Sequence, residues 1–241
     1  MTLSHDVSGA GAPVLLLHST ICDRRMWDPT VPALVAAGRR VIRCDLPGFG
    51  ESPVPAEPYD TACRVRELIT EPTAIVGASG GGRVALEIAA RWPQLVTRLV
   101  LLCTALPDMR PGPQLRAVWD REGALVEAGD IDAAAELMAA TFVGPSADQR
   151  TVSAVRDMQA HAYAQQLAAA ADPPPIEVAF DLAAVTAPAL LVTGAHDLPD
   201  FRQVRLPFAR HVELGWAGHL PSLERPGEVN RLLLDFLGSS R

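Results

Sequence analysis

The sequence predicts an α/β protein, a doubly wound and mostly parallel sheet with an inserted helical lid. Three observations predict it: short apolar runs that recur along the chain, amphipathic helical stretches between them, and one long helical stretch that contains no such run. The apolar runs are Val14-Leu-Leu-Leu17, Arg40-Val-Ile-Arg43, Ala74-Ile-Val76, Leu99-Val-Leu-Leu102 and Ala189-Leu-Leu-Val192, each closed by turn-forming or small residues. Runs of this length and closure read as strands buried on both faces. Amphipathic patterns at about Trp27 to Ala37, Thr61 to Ile69 and Gly81 to Arg91 lie between them, and that alternation implies parallel pairing. A ligand site in such a sheet lies at the carboxyl ends of the strands.

Taken in chain order, the amino-terminal region has room for one strand, around Leu3 to Val7, before the run at Val14. After Leu102 the alternation stops. Ala-rich helical stretches around Pro113 to Ala128, Ile131 to Thr141 and Gln149 to Ala171 follow without a good strand. The insertion opens near Pro107 and closes at Pro173-Pro174-Pro175, a stiff segment that cannot continue a helix. The expected division is therefore a core of residues 1–106 and 176–241 and a helical cap of residues 107–175. A lid and a plain second layer of helices account for that cap equally well. Val229, Leu232, Leu233, Phe236 and Leu237 fall at helical spacing within Pro226 to Leu237, which predicts a closing helix packed on the sheet.

Composition narrows the function. The 241 residues are 49% hydrophobic and 20% charged, which fits one soluble domain with a sizeable core and excludes a disordered chain. All 21 basic residues are Arg and none is Lys, so chemistry that needs a side-chain amine, such as a Schiff base, is excluded. With 38 Ala, this reads as a biased genome composition rather than a functional choice. The net charge of −7, with no basic run longer than Arg24-Arg25 or Arg39-Arg40, lacks the positive footprint of a nucleic-acid binder. Met1-Thr-Leu-Ser-His-Asp6 has no basic stretch followed by a long apolar one, and no segment approaches the ~20 apolar residues of a membrane span. The expectation is a cytoplasmic protein without a membrane partner. Cys22, Cys44, Cys63 and Cys103 are widely spaced and include no Cys-x-x-Cys pair, so they read as reduced thiols, mostly buried, rather than disulfide partners or zinc ligands.

The chemistry is carried by Thr73-Ala-Ile-Val-Gly77-Ala78-Ser79-Gly80-Gly81-Gly82, where an apolar run passes through Gly-x-Ser-x-Gly into a helical pattern. A sharp strand-to-helix turn would hold Ser79 in a strained conformation with its hydroxyl exposed above the sheet. A serine hydroxyl needs a base within hydrogen-bond reach and a third group to orient that base. Asp197, in Gly194-Ala-His-Asp197, and His219, in Gly218-His219-Leu-Pro, follow in the order expected of this arrangement.

Leu16-Leu-His18, Asp45-Leu-Pro-Gly-Phe-Gly-Glu-Ser52, Gly77 to Gly81, Gly194-Ala-His-Asp197 and Gly218-His219 together resemble the α/β-hydrolase superfamily over nearly the whole chain. The resemblance implies the α/β-hydrolase fold, with Ser79 as nucleophile, His219 as general base and acid, and Asp197 as the carboxylate that orients the imidazole. It also implies an oxyanion hole with one donor at the Gly80 amide and the other in the loop after His18, where Thr20 takes the usual position. Many members carry His-Gly where this chain has His18-Ser19, which leaves Ser19 as an alternative second donor. A narrower resemblance, carried by Ser19 and Asp23-Arg-Arg-Met-Trp27, is to 3-oxoadipate enol-lactonases and related carboxylic ester hydrolases. The short amino-terminal region implies that the sheet lacks the family's usual first strand.

The reading is a cofactor-independent, metal-free serine hydrolase that cleaves a small carboxylic ester or lactone through an acyl-enzyme on Ser79. The same triad would serve C–C bond hydrolysis, perhydrolysis or a non-hydrolytic biosynthetic step. A non-catalytic ligand receptor on this fold is a third reading. Substrate identity and oligomeric state stay open. Among other residues, His18 reads as a brace for its loop, Asp45 as a turn brace, His196 as a surface or outer-layer residue, and His5, His161 and His211 as surface residues. Asp200 competes with Asp197 for the acidic role. Asp23, Arg24 and Arg25 read as a solvated helix start in preference to an anion site, and Trp119 and Met138 as pocket lining or helix core.

Overall fold

A computed structural model describes residues 2–171 and 173–238; Met1, Asp172 and residues 239–241, which the sequence reading takes in, lie outside them. Among the described residues the strands are β1 (His5–Ser8), β2 (Ala12–Leu17), β3 (Arg39–Cys44), β4 (Thr73–Ala78), β5 (Val96–Leu102), β6 (Ala189–Gly194) and β7 (Ala209–Leu214). They form one sheet in the order β1-β3-β2-β4-β5-β6-β7. Only β1 is antiparallel, paired with β3. Among the described residues a single strand precedes β2.

The helices are α1 (Val31–Ala36), α2 (Thr61–Arg66), α3 (Gly80–Arg91), α4 (Pro113–Glu127), α5 (Ile131–Phe142), α6 (Gln149–Ala168), α7 (Pro199–Arg202), α8 (Pro221–Glu224) and α9 (Pro226–Gly238). Three of them, α4 to α6, lie between β5 and β6, where the strand signal lapses. Among the described residues no helix is long and apolar enough to cross a membrane.

Side chains alternate along each strand and so build two cores. Val14 and Leu16 of β2 join Val76, Val100 and Val192 in a cluster that also takes Leu233 and Leu237 of α9. Leu15 and Leu17 face the other way and join Ile75, Leu99 and Leu191 with Val84, Leu86 and Ile88 of α3. Each fully buried Leu contributes about 1.5–3 kcal/mol of transfer free energy, which is why the continuous apolar runs were legible as central strands. The strand that the sequence reading missed, β7, is half-exposed along its Ala-Arg-His-Val-Glu-Leu stretch, so polar residues interrupt any apolar run.

Met138, Ala139 and Phe142 of α5 and Val155 and Met158 of α6 pack into the same core as α9. Met138 is therefore core, whereas Trp119 is 46% exposed and edges a surface groove with Glu122, Tyr163 and Leu167. Three side chains of α6 bind carbonyls of the loop after β3: His161 Nε2 lies 2.9 Å from Gly50 O, Gln165 donates to Ser52 O at 2.7 Å and Gln166 to Gly48 O at 3.1 Å. His161 is exposed, as expected of a surface residue, and its ring is tethered to that loop. All four cysteines are free, and Cys22, Cys44 and Cys103 are buried.

Candidate active site

The strand order places the site. Outward from β2, the chain runs to β3 on one side and to β4 on the other, so β2 and β4 flank the point where the order reverses. The crevice at the carboxyl ends of such a pair is where open α/β sheets take ligands. Here those ends carry His18-Ser19-Thr20 and Ser79.

Ser79 connects β4 directly to α3 with φ 52° and ψ −118°, a left-handed conformation that costs a non-glycine residue of order 1–3 kcal/mol and persists only when its surroundings enforce it. The enforcement is visible. Ser79 N donates to Leu102 O at 2.9 Å and Ala105 N donates to Ser79 O at 3.1 Å, which ties the turn to the end of β5. Close packing finishes the turn: a Cβ on Gly77 would stand 2.5 Å from Gly81 O, and one on Gly81 would stand 2.6 Å from Leu17 O. Both glycines are required by the approach of neighbouring backbone.

Asp197 and His219 meet. His219 Nδ1 lies 2.7 Å from Asp197 Oδ2, with the two side chains only 2% and 1% exposed. A carboxylate can only accept, so Nδ1 carries the proton and Nε2 of the neutral ring is the acceptor. Leu198 N donates to the other oxygen, Oδ1, at 2.7 Å. The imidazole is wedged between aromatic rings, with centroids 4.3 Å from Phe201 and 4.9 Å from Phe142 of α5. Its only side-chain hydrogen bond among the described residues is the one to Asp197. Ser79 is tied to the end of β5, where its backbone bonds bracket Cys103, and the Cys103 Sγ lies within 4.8 Å of a carboxylate oxygen of Asp197 and a ring nitrogen of His219. Burial pushes the Cys103 thiol well above its ordinary range, so it stays a protonated donor, and it reaches Gly218 O at 3.5 Å. That donor set fits a hydrogen-bonded relay better than an ion, because the carboxylate is already engaged with the imidazole and the thiol is neutral.

Thr20 and Gly80 are neighbours, since a Cβ on Gly80 would stand 2.5 Å from Thr20 Cγ2. Among the described residues neither amide has a backbone acceptor. The Ser19 amide is engaged, donating to Met26 Sδ at 3.3 Å, and Ser19 is not among the positive-φ residues. Ser19 therefore replaces the glycine of the His-Gly pattern without backbone strain, and its amide is turned away. The Gly80 amide also opens α3, where the aligned peptide dipoles favour negative charge.

Competing residues sort themselves by their contacts. Asp200 accepts from the Gly112 amide before α4 and does not touch His219. His196 is exposed. His18 is buried, with Nδ1 2.9 Å from Ser19 O and Nε2 accepting from Leu46 N at 2.8 Å, so it braces two loops as a neutral ring, and burial holds its pKa below the ordinary value. Asp45 accepts from Arg24 N at 2.8 Å and from Glu51 N at 2.9 Å, which makes it the turn brace expected. One expectation is corrected in part: Asp23 does open a helix, capping the short turn Arg24–Trp27 by accepting from Arg25 N at 2.9 Å, but it is 1% exposed rather than solvated and pairs with the Arg25 guanidinium at 2.6 Å. Phe142, Phe201 and Glu224, which surround His219, have no sequence signal, because nothing in their local pattern separates them from ordinary helix and surface residues, and Cys103, expected only as a buried thiol, has none that places it at the site.

The His18 arrangement has a measurable consequence. The folded ring stays neutral while the unfolded one takes a proton near its ordinary pKa of about 6.5. Stability from this group is therefore complete above that pH and declines as pH falls below it. The urea midpoint is expected to drop between about pH 7 and pH 5, and less steeply in His18→Gln; equal slopes in the two proteins would remove His18 as the cause.

A family model described as the alpha/beta hydrolase family matches residues 14–232. The chain belongs to the alpha/beta hydrolase family. This alpha/beta hydrolase is 28% identical to a pimeloyl-[acyl-carrier protein] methyl ester esterase of Aeromonas hydrophila, an alignment that covers 99% of this chain and 100% of the relative. Among solved structures it is similar to an enol-lactonase from Burkholderia xenovorans LB400, with TM-score 0.76 and 26% identity over 98% of this chain and 96% of the other. It is also similar to a thermophilic esterase from Thermogutta terrifontis, with TM-score 0.75 and 26% identity over 98% and 93% of the two chains.

Proposed function

We propose that this alpha/beta hydrolase is a cofactor-independent serine hydrolase that cleaves a small carboxylic ester or lactone through an acyl-enzyme on Ser79. The single observation that carries the reading is the buried Asp197–His219 pair, joined at 2.7 Å, in a chain whose β4–α3 turn holds a serine at φ 52°. The esterase and enol-lactonase among its relatives support the substrate class. Ser79 Oγ attacks the carbonyl carbon while His219 Nε2 takes the hydroxyl proton, and Asp197 stabilises the imidazolium that forms. Among the described residues His219 Nε2 has no hydrogen bond to Ser79, and closing that gap falls to substrate binding, since catalytic hydrogen bonds in unliganded enzymes are often long. The Gly80 and Thr20 amides receive the developing oxyanion, a donor of this kind being worth about 2.7–4 kcal/mol in the transition state. His219 returns its proton to the leaving alcohol, and water then repeats the sequence to release the acid.

Residues 107–175 serve as the cap of this site in the proposal, with 1–106 and 176–241 as the core. The cap is seated on the loop after β3 by the α6 side chains and reaches the imidazole with Phe142.

A fluorophosphonate probe tests the reading. It is expected to label the folded chain once, on the tryptic peptide that carries Ser79. A folded chain that stays unlabelled, or is labelled elsewhere, overturns it.

A further inference from the structure

Three consecutive amides present the His219 loop to its surroundings, and two of them end on one carboxylate. Gly218 N donates to both oxygens of Glu224, at 3.1 and 2.9 Å, and Leu220 N donates to Oε1 at 3.1 Å. The amide between them, that of His219, donates to Phe142 O at 3.0 Å. Glu224 closes the short helix α8 and is buried. Its remaining partners are neutral groups of the α5–α6 connection: the Ser146 hydroxyl at 3.5 Å and the Gly144 amide. Burial holds its pKa above the ordinary value, and the amide bonds offset only part of that rise.

A buried carboxylate without a cation is costly, so its presence here calls for a reason that a neutral side chain would not supply. Four donors converge on it. A carboxylate offers acceptor positions only, whereas an amide side chain would turn an N–H against one of the incoming N–H groups. Charged acceptors also hold backbone amides more strongly than neutral ones do. The backbone is shaped around the group: a Cβ on Gly144 would collide with Glu224 Oε2, and a Cβ on Gly218 would stand 2.6 Å from Gly144 Cα. The carboxylate thus lies in a seam where the cap and the His219 loop touch backbone to backbone.

We propose that Glu224 is a positioning residue: by holding the amides on both sides of His219 it fixes where the imidazole stands, and through the same two oxygens it registers the α5–α6 turn against that loop. The inference rests on the reading of His219 as the base. With the clamp released, the polar bonds left on His219 among the described residues are those to the Phe142 carbonyl and Asp197, the two aromatic rings do not fix its height, and Nε2 drifts from its line to Ser79.

The test compares the full chain with Glu224→Gln and Gly144→Ala. The second variant leaves every polar group of the His219 loop intact, but its added Cβ would collide with Gly218 N as well as with the carboxylate, so it reads the register between the α5–α6 turn and the loop rather than Glu224 alone. Each is assayed for kcat and KM on p-nitrophenyl acetate, for the downfield Nδ1 proton of His219 by NMR, and for cooperative melting. Because a displacement of about 1 Å costs on the order of 100-fold, Glu224→Gln is expected to lower kcat by about 10- to 100-fold with KM within about twofold. Gly144→Ala is expected to lower kcat in the same direction. In both, the Nδ1 proton moves or broadens although Asp197 is untouched. A folded variant that melts at a lower temperature yet keeps wild-type kcat and an unmoved Nδ1 proton overturns the proposal. If Glu224→Gln does not fold, Glu224→Asp, which keeps the charge but shortens the side chain by one methylene and so loosens the same amide bonds, takes its place with the same readouts and the same deciding outcomes. If the unaltered chain turns over no ester, the serine-hydrolase reading fails instead, and the Nδ1 proton still decides the role of Glu224 because it needs no turnover.

Discussion

Replacing Ser79 with Ala is expected to lower kcat on short-chain p-nitrophenyl esters by about 10⁴- to 10⁶-fold with KM little changed. In the proposed reaction the substitution removes the atom that would form the acyl-enzyme and leaves the Gly80 and Thr20 amides and the Asp197–His219 pair in place, so a residual rate above the uncatalysed one is expected. The position also separates strain from chemistry. Ser79 stands at φ 52°, which alanine tolerates no better than serine, whereas glycine adopts it freely. Ser79→Gly is therefore expected to be equally inactive but more resistant to urea than Ser79→Ala, by about 1 kcal/mol. Wild-type turnover in either variant would end the case for an acyl-enzyme at this residue. Equal stabilities would show that the turn is not strained at Ser79.

Asp197→Asn is expected to cost about 10⁴-fold in kcat while preserving the fold. The reason is the division of labour between the two carboxylate oxygens. Leu198 N donates to Oδ1 and the imidazole Nδ1 faces Oδ2. An asparagine keeps its carbonyl oxygen on the Leu198 amide and so turns its NH₂ toward Nδ1. Nδ1 must then accept, the ring proton moves to Nε2, and the nitrogen that should take the Ser79 proton is already occupied. A pH–rate profile and the loss of the downfield Nδ1 proton check the tautomer directly. Asp200→Asn, at the carboxylate bound instead to the Gly112 amide, serves as the control and is expected to leave kcat near wild type.

The parts of this molecule that sequence made legible share a physical property. β2, β4 and β6 are buried along nearly their whole length, so each had to be an apolar run. Ser79 and Asp197 follow such runs in turns of small residues, where chain geometry already constrains what can stand there. The parts that were not legible depend on neighbours. β7 is an edge strand, and its mixed pattern gives no run to find. The helix expected from Trp27 begins only at Val31, after a tighter turn over Arg24–Trp27. Pro29 has no N–H to carry a helical ladder, and Pro32 is accommodated in the first turn, where none is needed. Asp23 looked like a solvated residue because its charge is visible in the sequence and its burial against the loop is not.

Local pattern alone was enough to establish the alternating architecture, the strained serine turn, and the order in which hydroxyl, carboxylate and imidazole arrive, because torsional preference and burial of a run are properties of a few adjacent residues. Folding in three dimensions decided which of two carboxylates reaches the imidazole, which of two amides stays available beside Gly80, and which buried acid grips the loop around His219. Those outcomes are distances between segments far apart in the chain, and they are set by the order of strands in the sheet and the packing of α5 and α8 against it.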